Sequence, residues 1–112
     1  MKRVIAIPTA QNCLCQHFGH CEKFAVFETD DGKVLNETFL TPPPHAPGIL
    51  PAWLSSQGIT HVIASGMGHR AIALFNQYNI QVLVGAAQKP VKTVVDEYLN
   101  GELETGINAC DH

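Results

Sequence analysis

No run of apolar residues in this 112-residue chain approaches the ~20 that a membrane-spanning helix needs. Basic residues are few: seven Lys and Arg stand against ten Asp and Glu, a formal charge of −3. That leaves little from which to build the cationic footprint of a nucleic-acid binder. The first β-branched run, Val4 to Pro8, contains no carboxylate, so the acidic metal clamp of a nuclease is missing from the strand that would carry it. No nucleophile elbow, paired-carboxylate pattern or Ser-His-Asp arrangement stands out either, and we expect no enzymatic turnover. The apolar run at the N-terminus is too short for a signal-peptide core and meets Pro8. The expectation is a cytoplasmic protein. Internal repeats and low-complexity tracts are also absent.

What is present is a core-former. Hydrophobic residues make up 46% and charged residues 15% of the chain, which excludes intrinsic disorder, and the length predicts a single domain. Val4 to Pro8 predicts a strand that Pro8 ends, followed by a polar loop from Thr9 to about Cys21. Phe24 to Glu28 and Val34 to Leu40 predict a hairpin around Asp30-Asp31-Gly32-Lys33. Four prolines between positions 42 and 47 make a stiff loop that can neither join a ladder nor continue a helix. Leu50 to Gln57 then reads as a short amphipathic helix closed by Gly58. His61 to Ala64 is a strand, His69 to Tyr78 a helix, Gln81 to Val84 the last strand. The final helix opens with Pro90 as its first residue and ends at Gly101. The order β-β-β-α-β-α-β-α predicts an α/β fold with a mixed sheet of five strands and three helices. Residues 1–101 form the domain and residues 102–112 a tail. Strands one, three, four and five are expected parallel, with strand two reversed.

That topology bears on function, because open α/β sheets bind ligands at the carboxyl edge of their strands. The loops expected there hold Cys13, Cys15, His17, His20 and Cys21, then His45, then Gly66 to His69. Three of the four cysteines and four of the six histidines are therefore predicted to converge from as far as 56 positions apart (13 to 69).

Cys13-Leu14-Cys15-Gln16-His17-Phe18-Gly19-His20-Cys21 places five sulfur or imidazole donors in nine residues. Thiolates and imidazoles suit zinc, copper(I) and iron–sulfur species; magnesium and calcium want oxygen. The spacing lacks the two matched pairs of a zinc finger. Cysteine is also a common small buried hydrophobe, and Cys13 with Cys15 is a candidate thiol–disulfide pair. His45 is either a loop residue stacking on Trp53 or proline, or a ligand presented by a rigid loop. Ser65-Gly66-Met67-Gly68-His69 joins a strand to a helix. It is a tight turn or an anion cradle of backbone N–H groups, assisted by His69 or Arg70. It lacks the third Gly of a dinucleotide fingerprint and the Lys of a phosphate loop. Cys110 and His112 lie on the tail, whose ~10 extended residues span about 33 Å and can reach a metal site in the same or a neighbouring subunit. His61, on the opposite edge, is expected to be structural.

His17-Phe18-Gly19 followed by Phe24, and Gly66-Met67-Gly68 with Ala71 and Leu74 followed by Ile80 to Gly85, together resemble the dinitrogenase iron–molybdenum cofactor biosynthesis family. That family includes NifX-like proteins, the C-terminal domain of NifB, and orange proteins that hold a molybdenum–copper sulfide cluster. The resemblance covers about residues 1 to 100. It implies a ribonuclease-H-like five-stranded mixed sheet and a role in binding, storing or transferring a metal–sulfur cluster without turnover. It points to His17, Phe18, Gly19, Gly66, Met67, Gly68 and His69 as the cofactor-binding loops.

The combined expectation is a small carrier of a metal–sulfur cluster containing iron, molybdenum or copper, or of its precursor. Its metal ligands are drawn from Cys13, Cys15, His17, His20, Cys21, His45, Cys110 and His112. Its partners are cluster donor and acceptor proteins, with a homodimer possible. A mononuclear zinc or iron site and a thiol redox protein are the alternatives.

Overall fold

The computed structural model describes residues 2–15, 21–43 and 49–105. Six strands and three helices follow in the order β1 (Lys2–Ala10), β2 (Cys13–Leu14), β3 (Lys23–Asp30), β4 (Lys33–Leu40), α1 (Ile49–Ser56), β5 (His61–Ile63), α2 (His69–Gln77), β6 (Gln81–Leu83) and α3 (Val91–Leu99). The sheet runs β4-β3-β1-β5-β6, with β2 added beside β1. β3 is antiparallel to β1 and β4; β5 is parallel to β1, and β6 to β5. The four long-range directions are those expected, so the ends of β1, β4, β5 and β6 share one rim.

β1 is central and covered on both faces. Ala6 joins Phe24, Val26, Leu50, Leu54, Val62 and Phe75 in a core under α1 and α2. Ile5 and Ile7 face the other way, with Ala25, Phe27, Val91, Val94 and Val95 under α3. Each such fully buried large side chain contributes about 1.5–3 kcal/mol. The β3–β4 hairpin turns on Asp31 (φ 51°) and Gly32 (φ 81°), the two positive φ values of a type I′ turn.

The chain departs from the sequence reading in three places. Pro8 does not end β1, which continues to Ala10. The Pro8 carbonyl accepts from Cys15 N–H on the flank away from β3, and the Pro8 nitrogen points to that same flank. Its missing N–H therefore costs no β1–β3 bond. The second difference is β2, a sixth strand inside the expected loop. It pairs with β1 through Thr9–Leu14 and Ala10–Cys13. Gln11 (φ 55°) and Asn12 (φ 65°) form the tight turn between them. Non-glycine residues in left-handed conformations give a weak sequence signal for such a turn. The third is Pro90, which caps α3 from outside, with extended backbone (ψ 142°), and is not its first helical residue.

Candidate functional site

Backbone hydrogen bonds join the loops of the carboxyl rim. Leu14 N–H donates to Lys89 O (2.9 Å), and Val91 N–H donates to Asn12 O (3.0 Å), so β2 is held to the loop before α3. Gly85 N–H donates to Ser65 O (2.9 Å) and Ala86 N–H to Ala64 O (3.3 Å), joining that loop to the one after β5. The segments that follow β1, β5 and β6 thus form one connected ledge.

On β2 the alternation of a strand separates the side chains. Leu14 is buried among Ile5, Ile7 and Val91. Cys13 and Cys15, one position to either side, are half-buried thiols outside any disulfide and share the opposite face. Cys21 is likewise outside a disulfide and half-buried, and it packs against the core that contains Phe24, Leu54 and Met67. Cys15 N–H donates to Pro8 O (3.0 Å), while Glu22 N–H, next to Cys21, donates to Thr9 O (2.8 Å). Successive carbonyls of a strand point to opposite flanks, so the two cysteines approach β1 from its two sides. Their side chains meet in a hydrogen bond. That contact, burial, and the charge of a Cys15 thiolate all push the Cys21 thiol far above the ordinary thiol range. A negative charge on Cys21 is therefore disfavoured beside a Cys15 thiolate unless a cation neutralises the pair. The chain thus pairs Cys15 with Cys21; Cys13 is joined to the rim by an isolated bridge to Pro90.

The glycine loop divides in two. Gly66 and Met67 are buried, Met67 being 1% exposed within the core, so the Met67 side chain is a core element. Gly68, His69 and Arg70 are exposed. Gly68 caps α2 with extended backbone (φ −65°, ψ 151°) and no side-chain bond to the helix. A Cβ there would meet nothing within 4 Å. The first turn of α2 carries His69 and Arg70 and no acidic residue. A cation beside the positive end of a helix dipole is unfavourable, and an anion in the open space before Gly68 would relieve it.

His17, Phe18, Gly19, His20, His45, Cys110 and His112 lie outside the described residues. Among the described residues no group of three or more His, Cys, Asp or Glu side chains is arranged to hold a metal ion. His61 lies on the far side of the sheet, where its Nδ1 meets Thr60 Oγ1 at 2.7 Å and its ring stands 6.1 Å from that of Tyr98. The Cys15–Cys21 relationship was not legible in spacing alone. The apolar Leu14 between two cysteines was the available sign that both point to one face.

The chain is 32% identical over 109 residues to an uncharacterized protein of Methanocaldococcus jannaschii, MJ0580, covering 89% of this chain and 88% of that one. The crystal structure of PH0822 superposes with a TM-score of 0.88 at 26% identity, over 95% of this chain and 96% of that one. The apo form of the orange protein from Desulfovibrio gigas shares the fold, with a TM-score of 0.76 at 16% identity over 95% and 94% of the two chains. Residues 1–101 match the sequence pattern of the dinitrogenase iron–molybdenum cofactor family, and the chain belongs to that family.

Proposed function

We propose that this protein captures a metal–sulfur cluster or its precursor at the carboxyl rim and passes it between donor and acceptor proteins in the cytoplasm, without catalysing a reaction. The observation that carries this reading is the Cys15–Cys21 pair, on the same rim as an uncapped α2 N-terminus flanked by His69 and Arg70. Soft sulfur donors suit the metals of such a cargo, and helix N–H groups suit its negative charge. Two thiolates leave most coordination positions to the cargo's own sulfides, or to Cys13, His17, His20, His45, Cys110 and His112. The strand order and directions support the ribonuclease-H-like reading of the fold.

Anaerobic reconstitution with iron and sulfide, with and without tetrathiomolybdate and copper, followed by metal and acid-labile sulfide analysis, tests the proposal. Several metals with sulfide are expected in the wild type, and a marked loss in Cys15→Ser and Cys21→Ser. A protein that takes up neither metal nor sulfide overturns it. One zinc or iron ion without sulfide points instead to a mononuclear site.

A further inference from the structure

The two edges of the sheet are guarded differently. β6, at one edge, has three residues; β4, at the other, has eight, and among the described residues it pairs with β3 alone. The large hydrophobics left exposed among the described residues are Val34 (41%), Leu35 (61%), Phe39 (42%) and Tyr78 (44%), and the first three belong to β4. Glu37 and Phe39, with Pro90, Val91 and Lys92 at the start of α3, border an open hollow of about 450 Å³, so the helix leaves Phe39 uncovered. A long edge strand with N–H and C=O groups free on one flank is a template for another strand. We propose that β4 pairs antiparallel with β4 of a second copy about a two-fold axis, giving one continuous sheet, and that each copy keeps its own open carboxyl rim for its cargo. The cargo clause rests on the carrier reading above; the β4 pairing does not.

The residues of β4 fit a copy of themselves. The β3–β4 register shifts between Glu28 and Thr29, where Leu35 is the extra residue of a bulge. Bulges guard an edge, but the stretch from Asn36 to Leu40 beyond this one is regular. Asn36, Thr38 and Leu40 stand opposite Glu28, Val26 and Phe24, and so share the α1–α2 face with the two core residues. Glu37 and Phe39 stand opposite Phe27 and Ala25, on the α3 face. Residues opposed across a ladder share a face, so a two-fold axis must set one residue against its own copy. At Glu37 this would oppose like charges, which is unfavourable. An axis at Thr38 opposes Thr38 to its copy and Phe39 to the second copy's Glu37; an axis at Phe39 opposes the two rings. Both avoid like charges and place Phe39 in the contact. Lys33 and Glu37 are the charged residues of β4, so the strand carries no net charge, and Lys92 Nζ stands 3.9 Å from Glu37 Oε1. That balance favours a second copy over a strongly charged partner strand. Because β4 ends at the carboxyl rim, antiparallel pairing sends the two rims to opposite ends of the joined sheet.

Sedimentation equilibrium and native-state hydrogen exchange on the reduced full-length protein test the pairing. One strand edge buries less than a standard interface, so association is expected in the micromolar range. The weight-average mass should rise from 12.2 kDa toward twice that value across roughly 1 to 500 μM. Over the same range the amides of Asn36 to Leu40 should gain protection while those of β6 do not, a readout that needs no variant. Phe39→Glu, checked for native circular dichroism, sets a carboxylate against another in either register and should weaken association by about ten-fold or more. Tyr78→Glu, at an exposed aromatic on the other side of the sheet, should leave it unchanged. A monomer at every concentration, protection gained on another element, or an equal effect of Tyr78→Glu would overturn the β4 pairing. Wild type and Phe39→Glu are then reconstituted with iron and sulfide. Equal uptake per protomer supports independent rims. Uptake by the dimer only overturns that independence and leaves the pairing in place. Uptake by neither overturns the carrier reading, while the pairing stands on its own measurements.

Discussion

The Leu14 N–H donates to the Lys89 carbonyl at 2.9 Å, so the strand that carries Cys13 hangs between β1 and the loop leading into α3. The Leu14 side chain is the apolar anchor of that arrangement, 2% exposed beneath α3. The position of the thiols is thus determined by a residue with no chemistry of its own.

Leu14→Ala should therefore act twice. Loss of a buried leucine costs about 2–5 kcal/mol with the cavity it leaves, read as a fall in the urea midpoint. The loosened β2 should also expose Cys15, raising its alkylation rate under native conditions. A destabilised variant with unchanged Cys15 reactivity would show that β2 is held by its backbone bonds alone.

The β1–β2 turn is conformationally costly, because Gln11 and Asn12 both adopt positive φ. Replacing the pair by the preferred type I′ dipeptide, Gln11→Asn with Asn12→Gly, keeps the Gln11 N–H bond to Glu22 Oε1 and the Asn12 carbonyl bond to Val91. Stability should rise by about 1 kcal/mol, measured by urea unfolding. A decrease would mean that one of the two native side chains supports the fold.

Gly68→Asp separates helix capping from anion capture. The extended backbone at Gly68 and the open space around its Cα admit an aspartate cap. A few tenths of a kcal/mol should be gained over glycine. The same carboxylate would repel a negatively charged cluster. The expected result is an unchanged or slightly raised urea midpoint together with reduced iron and sulfide uptake. Full uptake would remove the α2 N-terminus from the site.

His61 should make stability depend on pH. Burial first, and the Arg3 charge second, lower its pKa below the ordinary value near 6.5, against a smaller opposing bond from Gln81. Arg3 Nη1 also donates to the Tyr98 hydroxyl at 2.7 Å, which keeps that cation beside the imidazole. The folded state binds this proton more weakly than the unfolded chain. The contribution of neutral His61 is complete above about pH 6.5 and is lost as pH falls below it toward the lower folded value. Urea midpoints of the wild type should fall more between about pH 7.5 and pH 5.5 than those of His61→Gln. Parallel falls would assign the dependence to other groups.

The sequence by itself determined the helices, the β3–β4 hairpin and the strand directions. Each rests on local periodicity, on turn chemistry such as Asp31-Gly32, or on the handedness of crossovers, and all of these are written within a few neighbouring residues. It also led to the expectation that sulfur and imidazole donors gather on one rim, because topology orders the loop ends; of those donors the described residues include Cys13, Cys15, Cys21 and His69. Tertiary structure decided which thiols meet. Cys15 and Cys21 come together across β1, a relation that depends on two carbonyls of that strand and on Leu14 reaching the α3 side of the core. It likewise turned Met67 inward and left Gly68 open, since burial of a side chain depends on which elements cover it and not on its spacing in the chain.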